Sequence, residues 1–415
     1  MQRTNATTQI ALPTKSSIWM HPNFLVLFIS GAMITFGNKI YELALPLILY
    51  QWTSSSVAMS TMRGIEFLPN LLLAMFIGVL VDRVRKKQWS LWAVLFQVII
   101  LFLLYFLSIR SEPSMVIFYI GGFLLMTCNY AVGNARVGMV KHTLPNEMLT
   151  SANASFNFIT TLIGIMGPAL TGLVLMLPRL QDSLFLTGLL FMIGFITLLF
   201  LRSEEIITPP KQQGFWRELH AGWVELRSNR LLWLITLTVI FLNSTSGMVD
   251  TTIIFFAKDT LKLANFELGL VLSAAGAGGL IGSFLLKPLR RRFEAGVIVT
   301  LTTLFVGFTY GMLYAAHSAI WLAAALFFNG LFETISTVSI WTFRQETTPH
   351  HLIGRISGIT GSLFKLGMPF AIFAAGWISE LANPTVVFGI AMLGNLVIFL
   401  CCRFSSLWVK RTSSR

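Results

Sequence analysis

The chain has 415 residues, of which 55% are hydrophobic and 11% charged, and a formal net charge of +13. Soluble domains carry roughly 25% charged residues, so this composition excludes an ordinary soluble protein and points to a chain solvated by lipid. The three cysteines, Cys128 and the adjacent Cys401 and Cys402, offer neither a disulfide framework nor a metal-ligand spacing.

Residues 1–20 lack the apolar core of a cleaved signal peptide. About 20 apolar residues are needed to cross a bilayer as a helix. In chain order such runs cover 24–50, 57–81, 88–108, 114–139, 152–177, 184–201, 231–257, 267–287, 295–315, 319–342, 355–379 and 384–402. The expected fold is therefore an all-α polytopic membrane protein with twelve transmembrane helices. Its parts are an N-terminal tail (1–23), a six-helix bundle (24–201), a linker (202–230), a second six-helix bundle (231–403) and a basic tail (404–415).

Of the 30 basic residues, 23 fall in the termini, in the even-numbered connections or at their helix ends. Only Arg110, Arg179, Lys258 and Lys262 fall on the other side. The positive-inside rule then places both termini in the cytoplasm. The positive balance marks topology and contact with anionic lipid head groups, not a nucleic-acid groove.

The linker contains FWRELHAGWVELRSN, with Phe215, Leu219, Trp223 and Leu226 at helical spacing. That pattern predicts an amphipathic helix on the inner membrane surface. The two halves also echo each other at a shift of 204 residues: Gly78 falls on Gly282, Arg83 on Lys287, Lys86–Lys87 on Arg290–Arg291, and Pro145 on Pro349. Parallel six-helix repeats around a midplane site are a known transporter design.

The second span ends in GVLVDRVRKK, where Asp82 sits at a helix C-terminus that repels a carboxylate. Twelve spans in a 6+6 arrangement with this sequence after the second resemble the major facilitator superfamily. Gly78, Asp82, Arg83, Lys86 and Lys87 match its Gly-x-x-x-Asp-Arg-x-Gly-Arg-Arg/Lys signature in order. Arg85 replaces the second glycine, a departure shared with the drug and siderophore (enterobactin-exporter-like) efflux branch. The resemblance implies that Asp82 is held by the N-terminus of helix eleven, near Gly354 and Arg355, when the cytoplasmic side is closed. A purely topogenic cluster is the alternative. Arg136 resembles an arginine that recurs near the cytoplasmic end of span four in that branch, and a gating role is expected for it.

Span five carries LIGIMGPALTG, in which Gly164, Gly167, Pro168, Thr171 and Gly172 form a stripe of small or kinking residues. Spacing alone favours helix packing. The Gly-Pro-x-x-x-Gly pattern nevertheless resembles the antiporter motif of facilitator exporters, with Thr171 in place of a further glycine.

Away from the span ends, seven ionisable groups fall inside spans: Lys39, Glu42, Arg63, Glu66, Asp250, Glu333 and Lys365. Such groups are costly in lipid and mark function by default. Counted from Thr53, Glu42 and Arg63 are 11 and 10 residues away, and Lys39 and Glu66 are 14 and 13 away. Equal depth predicts cross-hairpin pairs Glu42–Arg63 and Lys39–Glu66. The same counting pairs Glu333 with Lys365 and leaves Asp250 as the candidate proton carrier, with Glu42, Glu66 and Glu333 in reserve. Each pair could equally be a structural bridge. Asn38, Tyr41, Asn129, Tyr130, Asn153, Asn157, Asn243 and Asn329 are the candidate cavity residues.

No phosphate-binding GxxxxGK[ST] loop and no metal-ligating histidine pair is present, so an enzyme and an ATP-driven pump are both disfavoured. The expected activity is secondary active export of a small amphipathic molecule, drug or siderophore, by proton antiport, with no cofactor and with the proton gradient as energy source. The expected location is a bacterial inner membrane, and the expected functional unit is a monomer. A proton-coupled nutrient symporter, a lipid-linked flippase and a non-transporting sensor or scaffold are the alternatives.

Overall fold

The computed structural model describes residues 18–73, 84–109, 114–203, 215–348 and 353–408. Among the described residues there is no strand, and a 3₁₀ turn at Ile18–Met20 precedes fourteen α-helices. In chain order the first bundle holds α1 (Pro22–Thr53), α2 (Ser56–Leu72), α3 (Lys86–Ser108), α4 (Met115–Thr143), α5 (Asn146–Val174) and α6 (Asp182–Leu199). The linker helix is α7 (Phe215–Ser228). The second bundle holds α8 (Arg230–Asp259), α9 (Asn265–Arg292), α10 (Ala295–Tyr314), α11 (Ala319–Thr347), α12 (Ile353–Leu363), α13 (Met368–Leu381) and α14 (Pro384–Arg403).

Among the described residues eleven helical stretches are long and apolar enough to cross a membrane. The expected second span is represented by α2, 17 residues long, and the rest of that span lies outside the described residues. Gly78, Asp82 and Arg83 lie there too, as does the side chain of Arg355.

Span eleven departs from the expected continuous helix. It is made of α12 and α13, joined by a tightened turn in which Lys365 N donates to Ser362 O (3.1 Å), Leu366 N to Leu363 O (3.0 Å) and Met368 N to Lys365 O (3.2 Å). Pro369 explains the interruption, because it has no N–H to give to the Lys365 carbonyl and its ring clashes with that carbonyl in a regular helix. Exposed backbone is tolerated in lipid only where other groups satisfy it; Asn243 Nδ2 donates to the Phe364 carbonyl at 2.8 Å.

The linker helix forms as its spacing predicts, and it packs against protein. Leu226 is buried with Leu232, Ile356 and Ile359, and Trp223 meets Trp233 edge to face at 5.9 Å. The helix is thereby docked on α8 and α12 of the second bundle.

Within the first bundle α1 packs on α6, α3 on α4 and α6, and α2 on α4; within the second, α9 packs on α11, α10 on α11 and α14, and α8 on α13 and α14. The halves meet through α2 against α13 and α5 against α9. Those are spans two with eleven and five with eight, and each pairing becomes the other when the halves are exchanged. A cation–aromatic contact also recurs in the two halves, at an offset of 208 residues in place of the 204 of the sequence motifs. Arg136 stacks over Phe156 at 5.8 Å and Arg344 over Phe364 at 5.0 Å, with both members displaced by the same 208 residues (344 − 136 and 364 − 156).

Glycines permit both seams. A Cβ on Gly269 would lie 2.6 Å from the Pro168 carbonyl oxygen and 2.9 Å from Gly172 Cα. One on Gly376 would lie 3.1 Å from the Ser56 carbonyl oxygen. Overpacking of this kind costs about 1–3 kcal/mol, so Gly269→Val should lower the thermal midpoint of the purified protein by several degrees and impair transport. An unchanged midpoint with full transport would count against a close seam.

Candidate functional site

Two ion pairs among the described residues lie in the first bundle, and each forms within one helix. Lys39 Nζ lies 2.8 Å from Glu42 Oε2 on α1, and Arg63 Nη1 lies 2.7 Å from Glu66 Oε2 on α2. The cross-hairpin pairs expected from depth, Glu42–Arg63 and Lys39–Glu66, are not formed. Residues three apart on a helix already share a face, so each acid finds its base one turn away. Depth counting was right in one respect: Arg63 Nη1 also donates to the Glu42 carbonyl at 3.2 Å, so the two pairs lie side by side. The Glu66 side chain is 0% exposed.

The second bundle holds acids together. Ser246 Oγ stands 3.3 Å from Asp250 Oδ2 and 3.2 Å from Glu333 Oε1, so α8 and α11 bring two carboxylates onto one hydroxyl. Glu333 is therefore not paired with Lys365 as expected; its neighbour is Asp250. Ser246 carried a signal in the sequence, one helical turn before Asp250, that charge counting passes over.

Lys365 instead faces a cavity of about 320 Å³ that Asn70 of α2 and Met126, Asn129, Tyr130 and Asn134 of α4 also line. The α4 residues recur at helical spacing and so present one face. Asn38 is nearby, donating to Asn129 Oδ1 at 2.7 Å. Asn129, Tyr130 and Lys365 are thus brought together as cavity residues, whereas Asn70, Met126 and Asn134 were not anticipated.

Other candidates have structural employment. Tyr41 is fully buried in the core of the first bundle, edge-on to Phe191 at 6.4 Å. Asn329 donates to Thr309 Oγ1 at 3.1 Å within the second bundle, and Asn243 holds the span-eleven turn. Asn153 and Asn157 are exposed on α5. Lys87 Nζ donates to the Leu199 and Leu201 carbonyls at 3.0 and 2.7 Å, a cation at the C-terminus of α6, where it offsets the helix dipole. Arg136 lies in its own half, lining a small cavity with Leu27, Gly31 and Ile34.

The span-five motif is interfacial. Gly172 faces Gly269 and Asn265 of α9, and Gly167 lies against the Lys39 stem, 3.4 Å from Cγ to where a Cβ would stand. Gly164 has open space beside it.

Hydrogen bonds joining described residues of the two halves gather at the helix ends opposite the basic loops. Tyr50 Oη donates to Asp259 Oδ1 (3.1 Å) and Asn265 Nδ2 to the Leu175 carbonyl (2.9 Å). Glu380, near the end of α13, accepts from Ser55 Oγ (3.2 Å), Ser56 N (2.9 Å) and Ser56 Oγ (2.8 Å). A carboxylate at a helix N-terminus is stabilised by unpaired N–H groups and the dipole, worth about 0.3–1 kcal/mol when exposed. Glu380→Gln should therefore raise the population separated at this end about two- to fivefold, read from spin-label distances between spans two and eleven. An unchanged distance distribution would count against a latch.

A family profile for the Major Facilitator Superfamily matches residues 27–372. The chain belongs to that superfamily. It is 24% identical over 408 residues to the multidrug efflux pump Tap of Mycolicibacterium fortuitum, covering 91% of this chain and 95% of Tap. It is 24% identical over 398 residues to the enterobactin exporter EntS of Escherichia coli (strain UTI89 / UPEC), covering 92% of each. The crystal structure of nucleoside transporter NupG superposes with a TM-score of 0.77 at 11% identity, covering 92% of this chain and all of that one; this likeness concerns the fold. This superfamily member is a multi-pass membrane transporter of a small molecule, not an enzyme.

Proposed function

We propose that this transporter exports an amphipathic drug or siderophore from the cytoplasm in exchange for protons, by alternating access. The observation that carries the reading is the Asp250–Ser246–Glu333 cluster. A serine hydroxyl has one proton to donate, so it satisfies one carboxylate at a time, and a proton on the other acid supplies the missing donor. Because the acids come from two different helices, α8 and α11, their proton occupancy is sensitive to how those helices stand. Export is favoured by the efflux relatives and by the Gly167–Pro168 motif at the α5–α9 seam.

In this reading the proton gradient is the energy source and no cofactor takes part. The protein works as a monomer in a bacterial inner membrane, with both termini cytoplasmic and its basic loops against anionic head groups.

The test compares cells with and without the protein for siderophore in the medium and for survival across a dye and antibiotic panel, with and without a protonophore. Protonophore-sensitive secretion or resistance supports the reading. Faster uptake in expressing cells, or no difference in either arm, overturns it.

A further inference from the structure

Of Lys39, Arg63 and Lys365, only Lys365 forms no ion pair among the described residues. Lys39 and Arg63 are each bonded to a carboxylate on their own helix. Its surroundings are neutral: the amides of Asn70, Asn129 and Asn134 and the phenol of Tyr130 line the same cavity. A cation in a low-dielectric wall is expensive unless something compensates it, and the protein supplies only dipoles.

Its position adds to the argument. Lys365 lies in the tightened turn of span eleven, immediately before the N-terminus of α13. Interrupted helices at the interface of two repeats form the substrate sites of several transporter folds, and the positive end of a helix adds to the attraction for an anion. Among the residues lining this cavity Lys365 comes from the second half and the others from the first. A ligand there would touch both halves, as alternating access requires.

We infer that Lys365, with the amide bank of spans two and four, recognises an anionic oxygen group, such as a carboxylate, on the transported molecule. The charges then divide by task. The Asp250–Glu333 cluster handles protons, the two intrahelical pairs neutralise themselves, and Lys365 selects an acidic solute. This inference rests on the transport reading for its meaning but not for its test.

The test uses the full-length protein in phosphatidylcholine nanodiscs and three probes with one apolar body: pyrenebutyrate, pyrenebutanol and a pyrenebutyl-trimethylammonium salt. Binding is measured by titration, corrected for partition into protein-free discs. A charge-assisted hydrogen bond favours the carboxylate over the alcohol by about tenfold or more. Lys365→Gln should erase that preference, with carboxylate binding falling far more than alcohol binding, and Lys365→Arg should retain most of it. A monodisperse elution profile for both variants separates loss of recognition from loss of fold. Equal binding of the three probes, no binding of any, or a carboxylate preference that survives Lys365→Gln overturns the inference. Displacement of pyrenebutyrate by added phosphatidylglycerol would assign the site to a lipid head group and likewise overturn it. No gradient is used, so failure of proton-driven export would leave the binding result standing, and failure of the binding result would leave proton coupling intact.

Discussion

Asp250→Asn is expected to abolish uphill, proton-driven transport in reconstituted vesicles while leaving passive substrate exchange near the parental rate. Asparagine keeps the size and hydrogen-bonding capacity of a protonated aspartate but cannot release a proton. Its amide can donate to Glu333, and its carbonyl can accept from Ser246 Oγ, so the α8–α11 contact described by the 3.3 and 3.2 Å separations survives. What is lost is the cycle in which one acid gains a proton on one side of the membrane and yields it on the other. Ser246→Ala sharpens the test, since it removes the shared donor but keeps both acids. Coupling should weaken there without vanishing. Glu333→Gln should resemble Asp250→Asn if the two acids act as one proton site. Full gradient-driven accumulation by Asp250→Asn would remove Asp250 from the mechanism and return attention to Glu42 and Glu66.

Much of the fold was legible because lipid solvation is a constraint along one dimension. Long apolar runs, the bias of basic residues toward alternate connections and the repeat offset all survive without knowledge of packing. The site was less legible because counting residues from a loop gives depth but not direction around a helix. Glu42 and Arg63 share a depth, yet Lys39 is only about 60° and one turn from Glu42 on the same helix, and it reaches first. The same blindness put Lys365 opposite Glu333, whereas the turn before Pro369 presents Lys365 to α2 and α4. That turn had a sequence signal in Gly367–Met368–Pro369 which the hydropathy of the run concealed. Glu380 was passed over because it lies at the end of a span, where a charge needs no explanation. Its hold on Ser55 and Ser56 needs the three-dimensional pairing of α2 with α13. The contact expected of Asp82 lies outside the described residues.

Arg63→Leu should be among the most damaging single substitutions in the molecule. Glu66 is buried, and its Oε2 accepts from Arg63 Nη1 at 2.7 Å. Removing one member of a buried pair typically costs about 3–5 kcal/mol because the other charge is left unmatched. Arg63→Leu should therefore lower yield and thermal midpoint sharply. The double variant Arg63→Leu/Glu66→Leu should recover much of that loss, since no charge is then stranded and the non-additivity expected of contacting residues appears as rescue. Exchanging the residues, Arg63→Glu with Glu66→Arg, keeps the one-turn spacing and should also recover stability. A double variant no more stable than the worse single would show that the pair is not what each side chain depends on. Transport by the rescued proteins then separates two roles. If Arg63 also sets the field at Asp250, the double-leucine variant should fold but couple poorly. If it couples like the parent, the pair serves packing between α1 and α2 alone.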